Sequence, residues 1–403
     1  MTRIAGMASN RGRNLIHLAD RTPGDAEVAV ILTNHADAPA REAATERDIP
    51  TEVIERSEGE SRESHERRVL DRLTEYDIDL VCLDGYMRVL TDEFLDSAPP
   101  TLNVHPSLLP AFPGMDAHEQ VLDAGVSVTG CTVHFVSEDV DAGPIITQET
   151  VPVYADDDTE SLKERVLYEA EFAAYPRAVR WFTEGRLAIE GDHVRVEGDK
   201  RGDFPSRRMT TTERAAKLRY GENPHQSAAL YADASSEDAS VVGAEQVNPG
   251  AKALSYNNYN DADGALGLVK EFEEPAAAVI KHTNPAGCAT DDDLATAYER
   301  ALATDPMSAF GGIVALNRAC DAETAEQIVE SFKEVVVAPG YTDDALSVLR
   351  EEDNLRVLDT GAFGGQTDGL REKFLTGGRL VQERDTQVLS PDALEVVTER
   401  EPT

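Results

Sequence analysis

The sequence predicts two α/β domains in one chain. Its 403 residues exceed what one ordinary hydrophobic core holds. In the first half, short apolar runs alternate with amphipathic charged stretches, which is typical of an open, mostly parallel sheet with helices on both faces. A polar segment rich in Arg, Ser, Thr and Asp interrupts this pattern, and a mixed α/β pattern follows. We therefore assign residues 1–197 to one domain, 198–212 to a linker and 213–403 to a second domain.

The spacing of apolar residues predicts the individual elements of the first domain. Apolar runs predict strands at Arg3–Met7, Glu27–Leu32, Leu80–Leu83, Leu102–Val104 and Ser127–Val136. Amphipathic stretches predict helices at Asn14–Ala19, Ala40–Glu46, Ser64–Tyr76 and Glu160–Phe182. A hairpin is expected at Arg186–Glu197, where the first domain ends.

The second domain is predicted in the same way. Strands are expected at Ala277–Ile280, Gly312–Ala315 and Glu334–Ala338, and helices at Asp292–Ala303 and Ala322–Lys333. The pair Asn257-Asn258 is interpreted as a turn.

Composition excludes several classes of protein. Lys and Arg total 38 against 76 Asp and Glu, a net charge of −38, and only eight of the basic residues are lysines. Because the acid is spread along the chain, it indicates a solvated acidic surface, disfavours nucleic-acid binding, and suggests a halophilic host. No apolar run approaches the roughly 20 residues of a membrane span, and the first residues contain no signal-peptide stretch. The four scattered cysteines are typical of reduced thiols in a cytoplasmic protein, with no metal framework.

The segment Thr101–Gly114, TLNVHPSLLPAFPG, contains the first candidate site. A short strand ends at His105 because Pro106 follows it, and alternation places Asn103 and His105 on one face at the carboxyl end of a parallel strand. Ligands bind at that end in open α/β sheets. Asp141 follows in a loop between two strands, just before Gly143. A lone histidine after a strand is usually structural, but these neighbours favour a catalytic group.

An amide, an imidazole and a carboxylate suit the transfer of a formyl group to an amine. The reaction passes through a tetrahedral intermediate with an oxyanion, which Asn103 and His105 can stabilise by donating hydrogen bonds. Asp141 can hold the histidine protonated and help relay protons from the attacking amine. No covalent nucleophile and no metal is required.

The segments TLNVHPSLLPAFPGMDAHEQ and VTGCTVHFVSEDVDAGPIITQETVPV resemble phosphoribosylglycinamide formyltransferases, and the likeness runs from residue 1 to about 196. The resemblance implies a Rossmann-like formyltransferase fold in which Asn103, His105 and Asp141 are catalytic. It implies that the folate-contacting segment is Met87, Arg88, Val89 and Leu90, that Arg62 lies near the site, and that Glu171 contacts the substrate sugar. It treats His118 and His134 as structural.

The phosphate loop of this family is changed here to Ser9-Asn10-Arg11-Gly12-Arg13-Asn14-Leu15. Gly12 and Asn14 match the family pattern, and Arg13 is a departure from it. A glycine turn before a helix N-terminus still binds phosphate, and an arginine adds a charge-assisted contact. We interpret Gly12, Arg13 and Asn14 as substrate-binding residues; the alternative is an exposed glycine turn with solvated arginines.

Two related activities share the Asn–His–Asp group. Methionyl-tRNA formyltransferases need a basic tRNA-binding domain, whereas this chain is acidic throughout. Formyltetrahydrofolate hydrolase typically places a regulatory domain before the catalytic one, whereas here the first predicted strand begins at residue 3. Hydrolysis stays the alternative activity, and it would release formate without a ribonucleotide acceptor.

The second half contains four blocks, LRYGENPHQSAALY, LSYNNYNDADGAL, VIKHTNPAGCA and DPMSAFGGIVALNR. They resemble the transformylase domain of the bifunctional purine enzyme that formylates aminoimidazole carboxamide ribonucleotide (AICAR), a cytidine-deaminase-like fold. The resemblance implies that His282 removes a proton from the weakly nucleophilic AICAR amine while Lys281 stabilises negative charge. It implies that Arg219 and Tyr220 contact the nucleotide and that Gly311 and Glu334 line its pocket. The alternative is a strand end with a solvated lysine and a capping histidine.

In that family the transformylase domain continues through a second lobe, so we expect an incomplete AICAR site in this lobe. Three alternatives stay open: the sequence is a fragment, a second chain supplies the rest, or the lobe has only a structural role as a dimerisation module. The resemblance also implies a homodimer. The expected substrates are glycinamide ribonucleotide and AICAR, and the expected donor for both is 10-formyltetrahydrofolate.

Overall fold

The computed structural model describes residues 1–198, 204–205, 207–210, 212–233, 239–248, 252–363, 370–385 and 395. The chain divides into two compact units, Met1–Arg208 and Met209–Thr403, which are treated separately below. Seven of the fifteen residues of the predicted linker, 199–203, 206 and 211, lie outside the described residues.

A seven-stranded sheet forms the centre of the first unit. Its strand order is β3-β2-β1-β4-β5-β6-β7. The first five of these strands are parallel, and β6 and β7 extend the sheet as antiparallel strands. The predicted open, mostly parallel sheet is confirmed. The strands are β1 (Thr2–Ala8), β2 (Ala26–Thr33), β3 (Thr51–Val53), β4 (Leu80–Leu83), β5 (Thr101–His105), β6 (Val128–Phe135) and β7 (Ile145–Pro152), and a separate hairpin is formed by β8 (Leu187–Glu190) and β9 (His193–Val196).

Helices cover both faces of this sheet. Because side chains alternate along a strand, Ile4 packs on one face against Leu15 and Leu18, whereas Ala5 lies on the other, in a cluster with Val69 and Leu73. The helices are α1 (Arg13–Arg21), α2 (Ala40–Thr45), α3 (Arg62–Glu75), α4 (Asp92–Ser97), α5 (Ala117–Ala124), α6 (Thr159–Arg165) and α7 (Phe172–Thr183).

The helix predicted at Glu160–Phe182 is interrupted. A π-helical segment, Val166–Glu171, separates α6 from α7. A π-helical turn holds an additional residue and so changes the direction of the side chains that follow it. Glu171 ends this segment with only 9% of its surface exposed, so a charged residue of an amphipathic pattern is directed inward.

The second unit is built on a mixed six-stranded sheet in the order β12-β17-β16-β15-β13-β14. The pairs β17·β16 and β16·β15 are parallel and the other three are antiparallel. Apolar clusters cover both faces, so a mixed α/β lobe is confirmed. The sheet strands are β12 (Glu245–Gln246), β13 (Ala276–Lys281), β14 (Asn284–Thr290), β15 (Ile313–Leu316), β16 (Val335–Ala338) and β17 (Arg356–Asp359), and two hairpins pair β10 (Thr212–Leu218) with β11 (Ala228–Asp233) and β18 (Leu370–Leu375) with β19 (Gly378–Glu383).

Five helices accompany this sheet in the part of the unit that the structure describes. They are α8 (Tyr256–Val269), α9 (Leu294–Thr304), α10 (Pro306–Ala309), α11 (Ala322–Val329) and α12 (Asp343–Leu349). In the described part of the chain no helix is long and apolar enough to cross a membrane.

Two predictions for this unit were wrong. Asn257-Asn258 is not a turn: it lies in the first turn of α8, because Ser255 caps the helix and the Asn258 side chain completes a reciprocal capping box. The helix predicted to reach Lys333 ends at Val329, and Lys333 itself is 97% buried. Both errors concern polar residues that bond to side chains close by in the chain: Asn258 to Ser255, and Lys333 to Ser331.

Candidate active sites

The first candidate site lies where the strand order of the first unit reverses, between β1 and β4. The loops after these two strands are joined by two hydrogen bonds: Ser9 donates its N–H to the Gly85 carbonyl at 3.2 Å, and Met87 donates its N–H to Ser9 Oγ at 2.9 Å. Crevices at such reversals are the usual ligand sites of open α/β sheets. The phosphate loop and the predicted folate segment therefore lie side by side.

Asn103, His105 and Asp141 come together at the carboxyl end of β5. His105 Nδ1 lies 3.2 Å from Asp141 Oδ2, and the same carboxylate oxygen accepts the Gly114 N–H at 2.8 Å. The two side chains are 6% and 9% exposed. His105 Nε2 lies 2.8 Å from the Phe112 carbonyl, so both ring nitrogens face hydrogen-bond acceptors. Either ring nitrogen can therefore donate a hydrogen bond.

His134 connects the amide to the carboxylate. Its Nδ1 lies 2.9 Å from the Phe135 carbonyl and therefore donates, which leaves Nε2 of the neutral ring to accept from Asn103 Nδ2 at 3.2 Å. The same Nε2 lies 3.7 Å from Asp141 Oδ1. The sequence interpretation of His134 as structural omitted these contacts. They depend on the antiparallel register of β5 and β6, in which Asn103 lies opposite His134, and no sequence pattern reveals that register.

The Asp141 carboxylate is kept ionised by its neighbours. Burial opposes ionisation, but the nearby His134 ring, the Gly114 N–H and the nearby His105 outweigh it and lower the pKa of Asp141. The loop that holds Asp141 is sterically confined, because a Cβ on Gly143 would lie 1.8 Å from the Phe135 carbonyl oxygen. Burial and the charges of Lys163 and His105 lower the pKa of the neighbouring His118 to about 4.

The predicted substrate-binding residues of the phosphate loop meet Glu171 at the start of α1. Gly12 adopts a left-handed conformation at the N-cap, and Arg13 Nη1 lies 3.4 Å from the Tyr168 hydroxyl. Asn14, which is 99% buried, donates from Nδ2 to Glu171 Oε2 at 2.6 Å. Burial and the neighbouring Asp84 raise the pKa of Glu171 to about 7. Glu171 is therefore poised between its neutral and ionised forms near neutral pH.

The predicted folate segment, Met87 to Leu90, is partly exposed to solvent and partly buried. Met87 and Val89 are 60% and 46% exposed, whereas Leu90 is buried among the apolar side chains of one sheet face. Arg88 donates its N–H to the Tyr86 carbonyl at 2.7 Å. Arg62 begins α3 with an exposed side chain, and among the described residues no hydrogen bond or ion pair joins it to Asn103, His105 or Asp141.

The second unit brings together most of its predicted residues at the end of β13. Lys281 donates from Nζ to the Phe310 carbonyl at 2.8 Å. His282 and Thr283 both adopt left-handed conformations, and their N–H groups donate to the two oxygens of Asp261 at 3.1 and 2.8 Å. Left-handed conformations are costly for residues other than glycine, so Asp261 stabilises the turn that presents His282.

Gly311 and Glu334 lie on the adjoining strand ends. Gly311 has φ +72° and donates its N–H to the Phe332 carbonyl at 2.9 Å. Glu334 accepts from Asn258 Nδ2 at 2.8 Å, a contact that the interpretation of Asn258 as a turn missed. Arg219 and Tyr220 lie apart from this group in sequence, and the Arg219 guanidinium stacks 5.7 Å from the Tyr220 ring.

Among the residues that the structure describes, no group of three or more His, Cys, Asp or Glu side chains is arranged to hold a metal ion. Both candidate sites consist of amides, imidazoles, carboxylates and one lysine, which are groups for hydrogen bonding and proton transfer.

Comparison with known families distinguishes the two halves. The sequence model of the AICARFT/IMPCHase bienzyme family matches residues 169–403, more than half of the chain. The chain belongs to this family. The formyl transferase model matches residues 2–179, so an AICARFT-type domain follows a formyl transferase domain, and the protein is an enzyme that transfers formyl groups. The resemblances recognised in both halves are confirmed.

Similar solved structures cover the formyl transferase domain of this bienzyme family member. Glycinamide ribonucleotide transformylase 1 from Symbiobacterium toebii is 44% identical, and the match covers 49% of this chain and 94% of that one, with a TM-score of 0.47. Phosphoribosylglycinamide formyltransferase from Brucella melitensis is 39% identical over 47% of this chain and 99% of its own, with a TM-score of 0.43. The enzyme from Anaplasma phagocytophilum is 35% identical over 50% and 96%, with a TM-score of 0.45.

Proposed function

We propose that the Met1–Arg208 unit transfers the formyl group of 10-formyltetrahydrofolate to the amine of glycinamide ribonucleotide. The observation that carries this proposal is the Asn103–His105–Asp141 group, whose His105 and Asp141 side chains are 6% and 9% exposed, in a unit whose first helix begins at a glycine turn. Support comes from the formyl transferase model, and from relatives 35–44% identical that are named as glycinamide ribonucleotide formyltransferases.

The proposed chemistry requires no covalent enzyme intermediate. The substrate amine attacks the formyl carbon, and the resulting oxyanion accepts hydrogen bonds from Asn103 Nδ2 and the His105 imidazole. The new C–N bond forms while the amine loses one proton towards Asp141. The bond from the formyl carbon to the folate nitrogen then breaks, and that nitrogen takes up a proton from His105. Atoms and protons balance, because one proton leaves the amine for Asp141, one passes from His105 to the folate, and the proton on Asp141 then returns to His105 across their 3.2 Å contact.

Substrate positioning is assigned to the surrounding loops. The turn at Gly12 and the guanidinium of Arg13 bind the phosphate, since the N-terminus of α1 and the arginine both favour an anion. Asn14 acts by holding Glu171, which contacts the ribose hydroxyls. The segment from Met87 to Leu90 binds the folate donor, with Arg62 at the rim of the site.

The second unit is proposed to formylate AICAR from the same donor. Its support is the family match and the group formed by Lys281, His282, Gly311 and Glu334, with Arg219 and Tyr220 as nucleotide contacts. His282 removes the amine proton and Lys281 stabilises the charge that develops. A homodimer or a partner chain that completes this site is part of the proposal. We place both activities in the cytoplasm of a host with high internal salt.

A steady-state assay in molar KCl tests these assignments. Purified chain is given 10-formyltetrahydrofolate with each ribonucleotide acceptor separately. We expect turnover with glycinamide ribonucleotide, and His105→Ala and Asp141→Asn should each lower kcat by about 10²–10⁴-fold, since each removes a proton-transfer or oxyanion contact. Turnover with AICAR, lost in Lys281→Ala, is expected if the second unit is catalytic as it stands.

His193→Ala is the control, because His193 is an exposed histidine of β9. Near-normal activity in His105→Ala or Asp141→Asn would refute the first site. Formate release without any acceptor, at the same rate as with it, would instead identify a hydrolase. Self-association that survives Lys281→Ala, without AICAR turnover in the wild-type chain, would assign the second unit to dimerisation.

A further inference from the structure

The first turn of α1 is occupied by a carboxylate that the sequence interpretation did not include. Asp84 follows β4 directly, and its Oδ2 accepts the backbone N–H of Asn14 at 2.8 Å. The N–H of Leu15 also contributes to this contact. A helix N-terminus favours a negative charge, so the first turn of α1 stabilises the Asp84 carboxylate.

Asp84 also reaches the side chain of Asn14. The Asn14 amide nitrogen has two protons, and it donates one to Asp84 Oδ1 at 3.2 Å and one to Glu171 Oε2 at 2.6 Å. Two carboxylates, one in the loop after β4 and one at the end of the π-helical segment, are therefore held by one buried amide. The oxygen Oδ1 of Asn14 is buried without a hydrogen-bond partner among the described residues.

We propose that Asp84 is a positioning residue for ribonucleotide binding, which fixes Asn14 at the start of α1 and through Asn14 sets the position of Glu171, while its own charge faces Glu171 directly. The proposal rests on the function assigned above to the first unit. Asp84 touches no substrate in this scheme. It acts through Asn14, so its loss should affect the ribonucleotide and leave the folate donor unaffected.

The charged and titratable groups that face Glu171 come from four elements. Asp84 lies after β4, Arg13 begins α1, Lys163 is on α6, and the thiol of Cys131 faces it from β6. The Asp84 carboxylate disfavours ionisation of Glu171, whereas the two cations and the Asn14 hydrogen bond favour it. Burial and Asp84 dominate, and they raise the pKa of Glu171 to about 7. Removal of the Asp84 charge must therefore lower this pKa.

A double-mutant cycle on KM tests the proposal. Asp84→Ala and Asn14→Ala should each raise KM for glycinamide ribonucleotide about tenfold, with kcat within about twofold and KM for 10-formyltetrahydrofolate unchanged. Because Asp84 acts through Asn14, the double variant should exceed Asn14→Ala by no more than about twofold. Fully additive effects, near a hundredfold, or a matching rise in the donor KM would overturn the proposal.

The pH profile gives a second readout that a structural role would not move. In the wild-type chain, KM for the ribonucleotide should change slope near pH 7, and Glu171→Gln should remove this break. Asp84→Asn retains the size of the side chain but not its charge, so the break should shift to lower pH. A break that stays in place in Asp84→Asn refutes the electrostatic role. The Asp84→Asn variant also keeps the proposal testable if Asp84→Ala does not fold.

Asp79→Ala is the matched control. Asp79 precedes β4 as Asp84 follows it, and it also accepts a backbone N–H, from Arg3 at 2.8 Å. It lies at the opposite end of the strand, so its loss should leave KM and its pH profile unchanged. If the wild-type chain shows no turnover of glycinamide ribonucleotide, the proposed function fails; if turnover is normal and the cycle is additive, only the role of Asp84 fails.

Discussion

The immediate surroundings of two carboxylates in the first unit shift their pKa values in opposite directions. Asp141 accepts a backbone N–H and lies beside two imidazoles, which lowers its pKa despite burial. Glu171 is buried beside another carboxylate, which raises its pKa to about 7. One group is thereby kept ready to accept a proton, and the other can both donate and accept hydrogen bonds. Each ionisation state follows from contacts to residues far away in the sequence.

The raised pKa of Glu171 predicts a change of stability with pH. The ordinary glutamate pKa is 4.5, so the contribution is fully present below about pH 4.5 and is lost as pH rises through about 7. Glu171→Gln stays neutral throughout. As pH rises from about 4.5 to about 7, the free energy of unfolding of the wild-type chain should therefore fall by roughly 2–3 kcal/mol relative to that of Glu171→Gln.

Urea titrations at constant high salt, followed by the fluorescence of Trp181, measure this difference. Trp181 is the chain's single tryptophan, is 93% buried, and lies in α7 directly after the π-helical segment. Glu164→Gln, at an exposed position of α6, is the control. Parallel curves of stability against pH for the wild-type chain and Glu171→Gln would contradict the assigned pKa.

At the scale of elements, the antiparallel extension by β6 and β7 completes the first site. β6 places His134 opposite Asn103, and the loop between β6 and β7 contains Asp141 in a left-handed conformation. The Phe135 N–H donates to the Pro144 carbonyl at 3.0 Å, so the loop closes immediately before Ile145 begins β7. A short, closed loop holds a catalytic carboxylate more rigidly than a long open one.

The tight closure of this loop predicts a loss of activity in Gly143→Ala. The new Cβ would lie 1.8 Å from the Phe135 carbonyl oxygen, and a backbone atom cannot move aside cheaply. The loop must shift, and Asp141 with it, so kcat for glycinamide ribonucleotide should fall at least about a hundredfold. The kcat is corrected for the folded fraction measured by Trp181 fluorescence.

Gly130→Ala is the matched variant for this experiment. Its Cβ would lie 1.8 Å from the Glu149 carbonyl oxygen, so it produces the same clash between β6 and β7 but away from the Asp141 loop. Both variants should lose stability, on the order of a few kcal/mol. Only Gly143→Ala should lower the kcat of the folded protein; an equal loss in both would show that the sheet, not the loop, is responsible.

At the scale of the whole molecule, the net charge of −38 determines the electrostatics of the folded chain. Surface arginines pair with acids, as in Arg67–Glu93 and Arg68–Glu60, but exposed pairs stabilise a fold little because solvent screens them. With 76 acidic and 38 basic residues, half of the acids have no basic counterpart. The folded chain therefore repels itself in dilute buffer.

This repulsion predicts a strong dependence of the melting temperature on salt. At 1 M salt the screening length falls to about 3 Å, so the repulsion between surface carboxylates is largely removed. We expect the melting temperature to rise by about 10 °C or more between dilute buffer and 2 M KCl. Sucrose at equal osmolality is the comparison, because it is excluded from the protein surface but does not screen charge. An equal rise in sucrose, or a negligible rise in KCl, would contradict the screening explanation.

The sequence by itself determined the α/β class of both units and the neighbourhood of Asn103, His105 and Asp141. These features are local: apolar periodicity sets strands and helices, and a strand that ends at a proline directs its last residues to the sheet edge. It was wrong at Asn257-Asn258, where a capping box turned a turn-forming pair into a helix start. Only the tertiary structure decided that His134 faces Asn103 and that Asp84, Asn14 and Glu171 form one group. Asn14 and Glu171 are 157 residues apart, and their contact depends on strand register and on a π-helical turn. Local sequence patterns contain neither, because both arise when distant segments pack together.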